Sequence, residues 1–250
     1  MANPNNEIII NIGAPPRLIR QATIIGRCSY CGELTHESCH PTVSKHFHFN
    51  CKQYMLVHNP NFHVYDSDEE EVIWEELNFL CYKKNFLPPD KSGTARDNGE
   101  ILKRNSCIWL DEFYSDRKHS NILELNRKAI NFESQEKIFR GNKSWFFQSA
   151  EAGNYNTLLS YYENDDYYKP HKDRSLITCL TWFYKEPKRF QGGDLLFHLN
   201  GDIFFIEIKN NMMVMFPSCI THSVTPVKMN EEECNNKNGR FCMTQFLHAA

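Results

Sequence analysis

Residues able to ligate a transition metal are grouped in two places along this 250-residue chain. One is Tyr168-Lys169-Pro170-His171-Lys172-Asp173, read together with His222 far downstream. On an extended strand side chains alternate between faces, so His171 and Asp173 project to the same side and can share one ion. A third ligand then has to come from another strand. His222 lies in the short β-type run 217–224 that follows the apolar strand Met212-Met213-Val214-Met215-Phe216, and is the natural candidate. Two imidazoles and one carboxylate on a common face suit Fe(II) and leave coordination positions free for a co-substrate and O₂. The rival reading of the same three residues is a buried polar cluster without metal.

The other group is near the N-terminus: Cys28-Ser29-Tyr30-Cys31-Gly32, then His48-Phe49-Asn50-Cys51. A C-x₂-C-G turn presents two thiolates from a tight knuckle, and H-x₂-C at the start of a following helix can complete a tetrahedral Zn²⁺ site. Cys28, Cys31, His48 and Cys51 in this spacing resemble a treble-clef or LIM-type zinc finger. A competing set is Cys28, Cys31, His36 and Cys39, closer to a zinc knuckle. Either set closes the coordination with four protein ligands, so this metal would hold a fold rather than do chemistry. Unligated thiols and surface histidines are the alternative to both.

Converging ligands need strands to carry them. The run 176–183 is a buried-strand pattern, Gln191-Gly192-Gly193-Asp194 is a turn, and Leu195-Leu196-Phe197 starts another strand. Further strands follow at 203–208, at the Met-rich segment, at His222 and at 240–247. Short strands separated by turn signals, with no helix between them, predict an all-β sandwich or barrel.

These motifs together resemble the Fe(II)/2-oxoglutarate-dependent dioxygenases, and within them the prolyl hydroxylases of the hypoxia and ribosomal types. The resemblance rests on Y-x-P-H-x-D at 168–173, Thr178-Cys179-Leu180, Gly192-Gly193-Asp194-Leu195, and Arg240 with Thr244, and it covers roughly residues 142–250. It implies a mainly β fold with a double-stranded β-helix (jelly-roll) core and buttressing helices, to which the Cys/His group would add a small N-terminal zinc-binding segment. It implies His171, Asp173 and His222 as iron ligands, and Arg240 as the clamp on the distal carboxylate of 2-oxoglutarate, with Thr244 on the same strand face. A guanidinium fork matches a carboxylate bidentately and stays charged at any working pH. Tyr162 lies near a tyrosine with which the family touches the co-substrate, although Tyr161 could serve instead. Trp182 departs from the pattern, standing about where hypoxia-type enzymes keep a tyrosine. The reaction implied is hydroxylation of a substrate carbon with O₂, coupled to decarboxylation of 2-oxoglutarate to succinate, with ascorbate as an auxiliary reductant. Asp173 argues against halogenation, in which that position is left to chloride.

Along the chain the sequence divides into an arm (1–26), the zinc-finger-like segment (27–60), a helix with an exposed loop (61–105) and the oxygenase jelly roll (106–250). Ser67 and Glu70 form a capping-box signature before Ile73, Leu77 and Leu80. The acidic run 66–71 is thus a helix start, since anions are favoured at that end. Pro88-Pro89 ends the element, and 90–105, polar and Gly-containing, reads as an exposed loop. Ser106 to Leu110 reads as a strand, and 121–139 as a helix with Ile122, Leu125, Ala129 and Phe132 on one face.

With 41% apolar and 13% aromatic residues the chain can bury a core. A net charge of -3 gives no global pull toward nucleic acid or membrane. Ten cysteines without a signal peptide or membrane-length apolar run predict reduced thiols in the cytoplasm or nucleus, not a secreted protein. Lys169, Lys172, Arg174, Lys185, Lys188 and Arg189 are expected at the pocket mouth, where they could steer an acidic peptide, a free amino acid or a nucleic-acid backbone. A prolyl residue in a protein or peptide is the first expectation. Oxygenation of nucleic acid or of a free amino acid, and a non-catalytic zinc-binding interaction protein, are the alternatives.

Overall fold

The computed structural model describes residues 65–82, 85–130, 150–199 and 202–249. Before them it describes only the backbone of five short strands: β1 (Gly26–Arg27), β2 (Leu34–Thr35), β3 (Ser38–His40), β4 (Val43–His46) and β5 (Val57–His58). The zinc ligands expected at Cys28, Cys31, His48 and Cys51, and the competing His36, lie outside the described residues. Cys39 lies on β3, of which only the backbone is described.

The remaining strands are β6 (Arg96–Asp97), β7 (Glu100–Ile101), β8 (Lys103–Arg104), β9 (Ser106–Trp109), β10 (Ala152–Tyr162), β11 (Tyr167–His171) and β12 (Ile177–Phe183). They continue as β13 (Phe190–Gly192), β14 (Leu195–Leu199), β15 (Asp202–Ile206), β16 (Met212–Pro217), β17 (Thr221–Val224), β18 (Val227–Met229) and β19 (Arg240–Ala249). Two antiparallel sheets carry the core, in the orders β5-β16-β12-β19-β10-β9 and β15-β14-β17-β11-β8. From β11 onward the chain passes back and forth between them: β11, β14 and β17 in the smaller sheet, β12, β16 and β19 in the larger. That winding is a jelly roll, as the strand order predicts.

Strand β12, Ile-Thr-Cys-Leu-Thr-Trp-Phe, is buried along its whole length. Leu180 and Trp182 pack between the sheets with Leu195, Phe197, Val214 and Phe216. Phe183 faces the other way, toward the helices. A strand covered on both faces reads as a continuous apolar run, which is why 176–183 stands out in the sequence.

Ile73, Leu77 and Leu80, four and three residues apart, form one face of the helix Ser67–Tyr82. They pack with Ile122 and Leu123 of the helix Asn121–Ile130 against Phe183, Phe241 and Met243 of the larger sheet. The second helix therefore buries Ile122 and Leu123, with Leu125 only partly covered; Ala129 and Phe132 are outside the described side chains. The two helices are tied by Glu76, a buried carboxylate that accepts from Ser120 Oγ at 2.6 Å and from the Ile122 amide at 2.9 Å. Free amides and the helix dipole favour an anion at that end.

Two local readings are corrected. The capping box is formed one residue earlier than expected. The Glu69 amide donates to Asp66 Oδ1 at 2.9 Å, and the Asp66 amide to Glu69 Oε2 at 3.2 Å. Glu70 is not free for that role, because its carboxylate accepts from Asn210 and Asn211 Nδ2 at 2.8 and 3.1 Å. The stretch 90–105 is not simply an exposed loop. It forms the hairpin β6–β7, turning at Asn98 and Gly99 with φ of 48° and 87°, and then β8, which joins the smaller sheet opposite β11. Asn-Gly is favoured where both turn residues need positive φ.

Candidate metal centre

Strand β11 pairs antiparallel with β17 so that His171 and His222 are direct cross-strand partners. Their rings lie 4.3 Å apart. Asp173 follows just past the end of β11, where its amide donates to the Ser218 carbonyl at 3.1 Å. This bond turns the chain back toward the cluster. Asp173 Oδ1 lies 3.8 Å from His171 Nε2, and Oδ2 lies 3.4 Å from His222 Nε2. One ligand atom from each of the three residues falls within 4.8 Å of the other two, a spacing that can hold a single ion.

Each imidazole is preset for that task. His171 Nδ1 bonds the Lys169 carbonyl at 2.8 Å and His222 Nδ1 the Ile220 carbonyl at 3.0 Å. A carbonyl only accepts, so each Nδ1 carries the proton and each Nε2 offers its lone pair to the site. Burial pushes the His171 pKa down to about 4, helped by the neighbouring His222, and burial does the same to His222. Burial also raises the Asp173 pKa, against which the Thr178 hydroxyl and His171 act. Asp173 Oδ2 accepts from Thr178 Oγ1 at 2.6 Å; the Thr178 hydroxyl contacts that of Ser218 at 2.8 Å, and Ser218 contacts the Ser175 hydroxyl at 2.7 Å. The ring of Tyr168 stacks on His171 at 3.6 Å, and its hydroxyl accepts from the Ala95 amide.

The cluster opens into a cavity of about 560 Å³. Its walls show the period-2 alternation of strands: Arg240, Cys242, Thr244, Phe246 and His248 from β19, and Leu158, Ser160 and Tyr162 from β10. Arg240 and Tyr162 are paired across the two strands. Arg240 is 0% exposed, its guanidinium lies over the Tyr162 ring at 4.5 Å, and Trp182 is 5.9 Å away. Nε and both terminal nitrogens of Arg240 have no hydrogen-bond partner among the described residues, and neither has Trp182 Nε1. Thr244 lines the same wall four residues on. Gly193 makes room for this side chain: at φ 71° a Cβ there would stand 2.9 Å from Arg240 Cδ.

The register places the two tyrosines on opposite faces of the sheet. Tyr162 lines the cavity, whereas Tyr161 points to the opposite face of the sheet and packs on Phe241 at 4.5 Å, its hydroxyl bonded to Glu163 and to the Gly239 amide. Of the six cations expected at the mouth, Lys172 and Arg174 line the cavity. The others do not: Lys169 faces Glu100, Lys185 bonds Asn236, Lys188 covers Tyr184 and Phe190, and Arg189 faces Glu233. In their place Arg96 and Lys103, from the stretch read as a loop, line the cavity together with Trp109. His198 is held by Ser223, while His248 stands in the cavity wall bonded to Asn156. All six cysteines among the described residues are free.

Comparison with known proteins agrees with this geometry. Residues 157–248 match the family model of the 2OG-Fe(II) oxygenase superfamily. An uncharacterised PKHD-type hydroxylase of Synechocystis is 25% identical over 161 residues, which make up 58% of this chain and 49% of that protein. The chain thus spans about half the length of the curated relative it matches. Among solved structures, a prolyl-4-hydroxylase of Pseudomonas putida aligns over 75% of this chain and 90% of its own, with a TM-score of 0.52 at 16% identity. A prolyl hydroxylase of Trichoplax adhaerens, solved with a hypoxia-inducible-factor oxygen degradation domain peptide, aligns over 78% and 82% with a TM-score of 0.55 at 14% identity. At such identities the two structures establish the common fold.

Proposed function

From the match of residues 157–248 to the family model of the 2OG-Fe(II) oxygenase superfamily, we propose that this chain is an Fe(II)- and 2-oxoglutarate-dependent dioxygenase that hydroxylates a carbon of a protein or peptide, a prolyl residue first. The observation that carries this reading is Arg240. A fully buried guanidinium with three unpaired nitrogens is costly, on the order of several kcal/mol, unless an anion reaches it. Among the described residues no carboxylate forms an ion pair with it, Asp194 feeling its charge only from farther off, and the cavity it lines also holds the His171, Asp173 and His222 cluster. An oxo-diacid would answer both features at once: Arg240 would pair with one of its carboxylates while His171, Asp173 and His222 would hold the metal.

His171, Asp173 and His222 would hold the iron. Bound iron and 2-oxoglutarate supply the oxidising chemistry, using O₂ and releasing succinate and CO₂. The chain contributes position and exclusion. Neutral imidazoles with their protons committed to backbone carbonyls take up a cation without first losing a proton. Thr178 and Ser218 fix the carboxylate of Asp173, as outer-shell groups do in metal sites. Arg240 and Thr244 orient the co-substrate, and Leu180 and Val224 in the cavity wall keep the site apolar around it. The similarity to prolyl hydroxylases, one of them solved with a peptide, favours a prolyl residue in a peptide over a free amino acid or a nucleic acid.

Calorimetry under nitrogen tests the reading. Wild type is expected to take up one Fe(II) and then 2-oxoglutarate, His171→Ala to lose the iron, and Arg240→Ala to keep iron but lose 2-oxoglutarate. Addition of O₂ and proline-containing peptides then yields succinate and a peptide heavier by one oxygen. An Arg240→Ala protein that binds 2-oxoglutarate like wild type sinks the proposal.

A further inference from the structure

The cavity contains a second buried cation that the co-substrate does not use. Lys103 on β8 is 4% exposed and lines the same cavity as the metal cluster. Its Nζ is 3.0 Å from Cys107 Sγ and 5.8 Å from the centroid of the Tyr168 ring. It has no ion pair with a carboxylate among the described residues. A thiol is a weak acceptor and a ring face compensates a cation only in part, so this ammonium, like Arg240, is short of an anion. The two cations stand on different walls, Arg240 on the larger sheet over Tyr162 and Lys103 on the smaller sheet, opposite Tyr168 in register. Tyr168 in turn stacks on His171. Lys103 is thus placed beside the metal cluster on a wall that the Arg240 clamp leaves free.

The rest of the lining repeats the asymmetry. Arg96, Lys172 and Arg174 line the cavity at exposed positions. None of the three has an ion pair among the described residues. Asp173, the only carboxylate among the described lining residues, belongs to the metal cluster. A chain with 31 acidic and 28 basic residues does not produce such a wall through its average composition.

We propose, resting on the dioxygenase reading above, that Lys103 is a substrate-binding residue which pairs with the carboxylate of an acidic residue beside the hydroxylated carbon, so that the substrate is an acidic peptide segment. The exposed Arg96, Lys172 and Arg174 steer that segment inward, and steering of this kind weakens with salt. The buried Lys103 discriminates, because a neutral isostere would leave it unpaired.

The test is binding of two proline-centred peptides to the full chain loaded with Mn(II) and 2-oxoglutarate, the peptides differing only in Asp and Glu versus Asn and Gln beside the proline. Wild type is expected to favour the acidic peptide by ~30-fold, the lower end of what a buried pair confers. Lys103→Met brings the ratio close to one and Lys103→Arg keeps most of it, whereas Lys172→Met with Arg174→Met weakens the acidic peptide at low salt and leaves the ratio at high salt as in wild type. Thermal melts establish that each variant is folded. Equal binding of the two peptides by wild type overturns the proposal, as does a Lys103→Met protein that keeps the preference or loses 2-oxoglutarate affinity instead. Tighter binding of a single-stranded oligonucleotide than of the acidic peptide overturns it too. A wild type that takes up 2-oxoglutarate yet treats the peptides alike removes only the substrate assignment; one that takes up no 2-oxoglutarate removes the dioxygenase reading and this inference with it.

Discussion

The guanidinium of Arg240 lies 4.5 Å over the ring of Tyr162, its cross-strand partner, and none of its nitrogens is hydrogen-bonded among the described residues. The ring face stabilises a desolvated cation by about 2 kcal/mol or more, short of the several kcal/mol that burying an unpaired charge costs. Arg240→Met is therefore expected to move two measurements in opposite directions. Without ligand, the melting temperature holds or rises, because replacing an uncompensated buried charge with an apolar chain of similar volume is neutral or stabilising. Affinity for 2-oxoglutarate falls by ~30-fold or more. A stability loss with unchanged affinity would make Arg240 a structural residue.

Thr178 is predicted to act on the metal through Asp173 alone. Its hydroxyl bonds Oδ2 at 2.6 Å, and outer-shell partners of this kind are worth ~10- to 100-fold in metal affinity. Thr178→Val should lower Fe(II) or Mn(II) affinity by that factor in a competitive chelator titration, while Thr178→Ser restores most of it. Equal affinities for wild type and Thr178→Val would remove the hydroxyl from the account.

The neighbouring tyrosines should separate cleanly. Tyr161→Phe loses bonds to Glu163 and the Gly239 amide on the far side of the sheet, a stability cost of about 1–3 kcal/mol, with 2-oxoglutarate affinity unchanged. Tyr162→Leu uncovers Arg240 and should weaken 2-oxoglutarate several-fold. Denaturant melts read the first effect and calorimetry the second; exchanged outcomes would mean that the strand register is wrong.

Gly193→Ala combines backbone strain with a clash. At φ 71° an alanine costs about 1 kcal/mol or more, and its Cβ would meet Arg240 Cδ at 2.9 Å and Val227 Cγ2 at 3.1 Å. The variant should be less stable and, because the guanidinium is displaced, bind 2-oxoglutarate more weakly. An alanine tolerated on both counts would show that Arg240 can move freely.

The opposite outcome is expected at Gly99. Nothing lies within 4 Å of a Cβ there, so Gly99→Ala should cost only the positive-φ strain of about 1 kcal/mol. The β6–β7 turn, and with it the placement of Lys103, should persist. Peptide binding unchanged beside a small loss in melting temperature checks this.

The strands of the jelly roll were legible because burial of a strand leaves a local trace. The run 176–183 is apolar on both faces, and His171 and Asp173 stand two apart. The hairpin at 96–101 left a trace as well, the Asn98-Gly99 pair, which a reading for polarity alone passes over. What stayed hidden was whatever depends on which strand lies beside which. Tyr161 and Tyr162 are equivalent until β10 is set against β19, since alternation gives a period without a phase. The capping box expected at Ser67 and Glu70 forms instead at Asp66 and Glu69, because Asn210 and Asn211, distant in sequence, take Glu70. Lys103 read as one more charge in a polar stretch.

By itself, then, the sequence determined the fold class and singled out His171, Asp173, His222 and Arg240 as candidates, because residue type and a two-residue period are local properties of a strand. Only the tertiary structure decided which tyrosine faces the cavity, that 90–105 forms part of its wall, and that Lys103 is buried there with no carboxylate paired to it among the described residues. Burial and charge compensation are set by neighbours far away in the chain, and no local pattern records them.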